Sequence, residues 1–211
     1  MGSVPSMKVQ VMVYLAIAMG LTAMPLGKVH GQPQLTPALD RARREPIADG
    51  RGAAGLRLGD QIATVTNTLG SPFKVETFEA GARQDFLYAA FGPGEVWGLV
   101  ITAIIRQNPV QAIEIVSARR PPEAHPYLGS TTLGYRLVDP GSRLRALYGA
   151  PDLVIVEHRR EYWWYQRAGI VVTPDERVIQ GEAERALILL SPNASLIEVR
   201  RLLNLPTGVI R

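Results

Sequence analysis

Gly55-Leu-Arg-Leu-Gly-Asp60 and Gly134-Tyr-Arg-Leu-Val-Asp139 can be written one above the other, and at the same spacing of 79 residues Leu69-Gly70-Ser-Pro72 falls over Tyr148-Gly149-Ala-Pro151. Gly, Arg, Leu and Asp coincide in the first pair, Gly and Pro in the second, without a gap. Between these anchors Ile62, Val65 and Leu69 in the first stretch, and Leu144, Leu147 and Tyr148 in the second, recur at the spacing that puts apolar side chains on one helix face. This reads as an internal repeat whose unit opens with a short amphipathic helix. Asp60 and Asp139 are placed as N-caps, able to accept from unpaired N–H groups of the first turn, with Pro140 at the first helical position. Gly70 and Gly149 are placed as left-handed C-caps, and Pro72 and Pro151 as stops.

Beyond each Gly-x-Pro the period changes from helix to strand. The first copy predicts strands near 73–79, 84–91, 96–106 and 110–117, separated by Gly81, Gly92-Pro-Gly94 and Gln107-Asn-Pro109. Loops this short make the strands an antiparallel meander. The second copy predicts strands near 153–158, 162–167, 169–173 and 185–190, with a longer loop over 174–184. Phe86-Leu-Tyr88 is answered by Trp163-Trp-Tyr165, and Ala112-Ile-Glu-Ile-Val-Ser117 by Ala186-Leu-Ile-Leu-Leu-Ser191. The expected fold class is therefore α+β: two tandem repeats, each a short helix followed by a four-stranded antiparallel sheet, plus a C-terminal helix.

A sheet of four strands needs one face covered, and the helix is the cover at hand. Alternation then turns Ile113 and Ile115 toward the helix with Glu114 outward, and Leu187 and Leu189 inward with Ile188 outward. The same rule sends Trp163 and Tyr165 inward and Tyr162 and Trp164 outward. If that outer face is bare, Tyr162, Trp164 and Ile188 form an apolar patch rimmed by Arg160, Glu161 and Arg185, the composition of a partner-binding site. The other outcome is a face covered by the C-terminal helix or by the other repeat.

The flanks carry an address. Lys8 precedes an apolar run from Val9 to Met24 that breaks at Pro25, and Val29-His30-Gly31 sets Val at −3 and Gly at −1 before Gln32. This is the pattern of a secretory signal over 1–31, with the mature chain starting at Gln32. The run is shorter than the roughly 20 residues of a membrane span and is interrupted by Gln10, Gly20 and Thr22, though an uncleaved anchor is the alternative. Residues 32–54, with three prolines and two glycines, read as a flexible tether with a short helix over 37–44. Repeat 1 spans 55–118, a Pro-rich linker 119–131, repeat 2 132–191, and a C-terminal helix and tail 192–211. In that tail Ser195-Leu-Ile-Glu198 has the form of a capping box.

Chemistry is scarce. The 211 residues contain no cysteine, which excludes thiol catalysis, disulfides and lipid attachment through a mature N-terminal Cys. Of three histidines, His30 lies in the presequence, and His125 and His158 stand apart without clustered carboxylates, so no metal site is expected. No nucleophile elbow, metalloprotease helix or phosphate-binding loop occurs, and neither catalytic nor cofactor-binding residues are assigned. Net charge is +4, from 23 basic and 19 acidic residues. Residues 55–117 hold four bases against six acids and 132–191 eight of each, which argues against nucleic acid as partner. Arginine exceeds lysine 20 to 3, a bias of GC-rich bacterial genomes.

A helix opening at Gly-x-x-x-Gly-Asp, closing at Leu-Gly-x-Pro and followed by a small sheet with an aromatic-rich second strand resembles a repeat of the bacterial envelope. It is shared by small outer-membrane-assembly lipoproteins of the BamE-like fold and by secreted β-lactamase inhibitor proteins, which carry it in tandem. The resemblance covers roughly residues 55–191, and lacks the lipid-bearing cysteine of the first family and the disulfides of the second. It implies a non-enzymatic periplasmic or extracellular protein that binds another envelope or secreted protein, as regulator or inhibitor. A structural component of envelope assembly is one alternative, and a small-ligand carrier or hydrolase another.

Overall fold

The computed structural model describes residues 35–78, 81–91, 97–118, 125–157, 160–174 and 184–203. The expected presequence, the core of the linker and most of the 174–184 loop lie outside them. The chain divides into one unit of Gln32–Ala194 and a second formed by Met1–Gly31 with Ser195–Arg211.

In the larger unit, helix α1 (Pro37–Ala42) precedes a small hairpin of β1 (Gly52–Ala53) and β2 (Leu56–Arg57). Two eight-residue helices follow, α2 (Ile62–Leu69) and α3 (Gly141–Tyr148), 79 residues apart. Gly70 and Gly149 close them as expected, at φ of 85° and 80°, their N–H groups donating to the carbonyls of Thr66 and Arg145. The expected N-caps are corrected. Gln61 and Pro140 occupy the cap positions without a side-chain bond, which moves Pro140 out of the first helical position. Asp60 and Asp139 instead accept from the backbone N–H of Arg57 and Arg136, at 2.7 and 3.0 Å. Each helix starts one residue later than the pattern suggests, so the carboxylate meets the amide of the turn behind it.

The strands are β3 (Lys74–Phe78), β4 (Arg83–Phe91), β5 (Trp97–Arg106), β6 (Val110–Ala118), β7 (Leu153–Glu157), β8 (Arg160–Tyr165), β9 (Ile170–Val172) and β10 (Glu184–Leu190). They form one antiparallel sheet of eight in the order β3-β4-β5-β6-β10-β9-β8-β7, where two separate four-stranded sheets were expected. The seam is β6 on β10, paired from Ala118 opposite Glu184 to Ala112 opposite Leu190. Both strands are apolar along most of their length, and an unpaired edge on either would leave backbone groups without partners beside that surface. Pairing the two edges removes the problem, and no local pattern announces it.

The β5–β6 hairpin turns through Gln107 and Asn108, both at positive φ (51° and 88°), the geometry of a tight hairpin turn. The Asn108 amide donates to Gln61 Oε1, and Val110 exchanges backbone bonds with Gly59 and Asp60. Helix α2 is thereby pinned to the sheet.

The main core cluster lies on one face of the sheet. It gathers Tyr88, Ile101, Ile113, Ile115, Trp163, Tyr165, Leu187 and Leu189 under Val65 and Leu69 of α2 and Leu144 of α3. The expected inward residues are therefore inward. Residues 35–54 are not a flexible tether. Leu39, Ala42, Ile47, Ala53 and Ala54 are buried in this core, and Thr36 caps α1 through Leu39 N–H at 3.2 Å. The linker is also partly built in. Tyr127 is fully buried, donating to the Glu45 carbonyl at 2.8 Å and accepting from Ala54 N–H at 3.0 Å. Ile47 N–H to Ser130 and Leu128 N–H to Arg43 complete the tie. A few apolar residues with so many backbone bonds offset the ordering entropy that composition alone suggested they could not.

In the smaller unit, α4 (Leu196–Leu202) opens with the expected capping box: Ser195 Oγ accepts from Glu198 N–H, and Glu198 Oε2 accepts from Ser195 N–H at 2.6 Å. Those bonds from Ser195 hold the Glu198 carboxyl below its ordinary pKa.

Candidate interaction surface

Register places residues of neighbouring strands in rows across the sheet. On the face away from α1, α2 and α3 one row runs Leu153, Trp164, Val171, Ile188, Glu114, Thr102, Leu87, Lys74. Trp164 and Ile188 thus share the expected face, with Val171 between them, and Tyr162 lies in the neighbouring row opposite Ile155. They are not an exposed patch. Trp164 and Ile188 are each 5% exposed, and only Tyr162 is half-buried. The reason is visible along the strands. Val100, Ile104, Ala112, Val171 and Leu190 share this second face and are buried too, so the middle of the sheet is apolar on both sides. Leu99-Val-Ile-Thr-Ala-Ile-Ile105 and Ala186-Leu-Ile-Leu-Leu190 are near-continuous apolar runs, the mark of strands buried on both faces. Of the expected rim, Glu161 is exposed, and its carboxylate accepts from Trp163 Nε1 at 3.2 Å. Arg160 and Arg185 have no described side chains.

The two ends of the sheet differ. At the β3 end the second face carries a charged network: Lys74 Nζ is 2.5 Å from Glu76 Oε1, and Glu76 lies opposite Asp85. Arg83 holds Asp85 with two bonds, Nε to Oδ1 at 2.7 Å and an amino group to Oδ2 at 2.6 Å. The Arg83 guanidinium also lies over the Phe78 ring, 5.1 Å from its centroid. Burial raises the Asp85 carboxyl above its ordinary pKa despite Arg83, and the Glu76 charge adds to the rise. Inward charges of this kind guard an edge strand against pairing with another chain.

At the other end β7 pairs with β8 alone among the described strands. Its sequence from 153 to 156 is Leu-Val-Ile-Val, with no charge. Leu153, Val154 and Val156 are 36, 42 and 62% exposed, while Ile155 is buried. Glu157, the last residue of β7, is its one charge, and an edge whose other four residues are apolar and β-forming is a surface that accepts another strand. Sequence reading placed this strand correctly but missed its position, because nothing local says whether a strand ends a sheet or lies within it. Next to it, Arg145 of α3 stacks on Trp163 at 4.0 Å from the ring centroid, which closes the core behind the edge.

The sequence matches no protein-family model and no curated protein. Among solved structures the chain is similar to a cysteine-rich secretory protein from Staphylococcus aureus, at 7% identity and a TM-score of 0.41, over 70% of this chain and 48% of that one. The chain spans about half the length of that protein, and at this score nothing further is taken from the likeness.

Proposed function

We propose that the chain is an exported, non-enzymatic protein-binding module that regulates or inhibits another envelope or secreted protein, in the periplasm or outside the cell. The reading includes two copies of one unit, related to the BamE-like repeat. In its support, the helices are equal in length, their turns carry the same aspartate bond, and β3 and β7 begin and end at the same spacing of 79. The strand order β3 to β6 is mirrored by β10 to β7 across the seam.

The observation that carries binding is the β7 edge, which replaces the Tyr162, Trp164 and Ile188 patch as the docking surface. A partner in extended conformation would satisfy the backbone side of β7 that pairs with none of the described strands, and cover Val154 and Val156. The experiment is a pull-down from native envelope extract with wild type and Val156→Lys, alongside a thermal melt of each. Val156→Lys should melt like wild type and lose the captured protein. Equal capture by both would remove β7 from the reading.

A further inference from the structure

We infer that the strand which occupies β7 in the isolated protein is β7 of a second copy of this chain. The inference rests on the reading of β7 as a binding edge and names its first occupant. The centre of β7, Val154-Ile-Val156, is self-complementary when run antiparallel to itself about Ile155, with Leu153 falling opposite Glu157 at each end. That register sets Val154 opposite Val156 of the other copy, Val156 opposite its Val154, and Ile155 opposite itself. Because residues directly opposite in an antiparallel pair lie on one face, four exposed valines meet on the helix side of a joined sheet. Any register shifted by two residues leaves at least two of them without an apolar neighbour.

Two observations favour a second copy over an unrelated strand. The seam β6 on β10 is the same kind of junction, antiparallel and edge to edge, so the sheet tolerates extension by its own strands. The opposite edge, β3, carries the Lys74 and Glu76 pair, which directs self-pairing to β7 and closes the assembly at two copies rather than a filament. Five paired residues bury far less than the roughly 1,200 Å² of a standard stable interface, so the dimer is weak and concentration-dependent. A partner strand of better fit displaces it, and the dimer keeps the apolar edge covered until then.

The chain as recovered after export is tested by sedimentation equilibrium over a wide concentration range. Wild type should shift from monomer to dimer, and Val156→Lys should weaken the dimer by about tenfold or more. Val75→Lys, a matched exposed valine on β3, should leave it unchanged. The lack of native cysteine allows a test of register: mixed Val154→Cys and Val156→Cys chains should cross-link to each other much faster than either to itself. A chain monomeric at every concentration overturns the inference, as does a dimer indifferent to Val156→Lys. If such a monomer still loses its captured protein on Val156→Lys, the binding edge stands and only its self-occupancy falls.

Discussion

The Tyr148 hydroxyl donates to Asp49 Oδ2 at 2.6 Å, joining the last turn of α3 to a segment 99 residues earlier. Asp49 is held from the other side by Thr132, whose N–H donates to Oδ1 at 3.2 Å and whose hydroxyl accepts from Asp49 N–H at 3.3 Å. Removing the hydroxyl in Tyr148→Phe should cost about 1.5 to 3 kcal/mol, the range for a bond to a charged acceptor. Ile47, 1% exposed in the same segment, should cost about 2 to 5 kcal/mol as Ile47→Ala. Urea denaturation measures both. Two unchanged midpoints would mean that residues 35–54 are a tether after all.

Trp164 sits on the face once expected to bind a partner, and its burial reverses the expected effect of removing it. Trp164→Ala should lower stability by about 3 to 5 kcal/mol rather than act on binding alone. Its Nε1 has no hydrogen-bond partner among the described residues, so part of its polar capacity is already lost in the fold and Trp164→Phe should be mild. A normal melt for Trp164→Ala together with lost capture would return the residue to the surface.

What was legible in the sequence was what short-range chemistry decides. Gly70 and Gly149 announced the helix ends because positive φ at a C-cap is a local demand, and a Cβ at either position would meet nothing within 4 Å. Ala112 to Ser117 announced its facing because alternation is local too. The β6 seam, the β7 edge and the second buried face were not legible, since each depends on which strand lies next to which. The apolar runs 99–105 and 186–190 held the one usable signal for two-sided burial. Gly129 shows how a long-range demand hides: a Cβ there would overlap the Glu45 carbonyl oxygen, a contact that no spacing rule anticipates.

Arg83 and Asp85 are both nearly buried, with side chains 5 and 8% exposed. Arg83→Met strands the Asp85 charge and should cost about 3 to 5 kcal/mol at neutral pH, whereas Arg83→Met with Asp85→Leu should recover most of that loss. Asp85 has its pKa raised, so its carboxyl favours the fold most when protonated, and that contribution falls away as pH rises through the folded value. The cost of Arg83→Met should therefore shrink as pH is lowered from 7 toward 4. Denaturation of the three proteins at both pH values checks it, and an acid-insensitive cost would assign the loss to packing instead.

Four tyrosines make the fold sensitive to alkali. Burial pushes Tyr88 and Tyr165 up to about 12 and raises Tyr127 and Tyr148 as well. Since a raised pKa means that the folded chain keeps protons the unfolded chain gives up, unfolding releases protons between the ordinary tyrosine value near 10 and the folded values. Their contribution is intact below pH 10 and is lost as pH climbs toward 12. Thermal melts should therefore change little from pH 8 to 9.5 and fall steeply beyond 10. Tyr88 isolates the effect, because its hydroxyl is buried without a hydrogen-bond partner among the described residues. Tyr88→Phe removes an unsatisfied group and should leave neutral-pH stability equal or higher while flattening the alkaline fall. Absorbance at the phenolate band, followed through the same range, should show these tyrosines ionising together with unfolding. Ionisation near pH 10 in a chain still folded would place them at the surface.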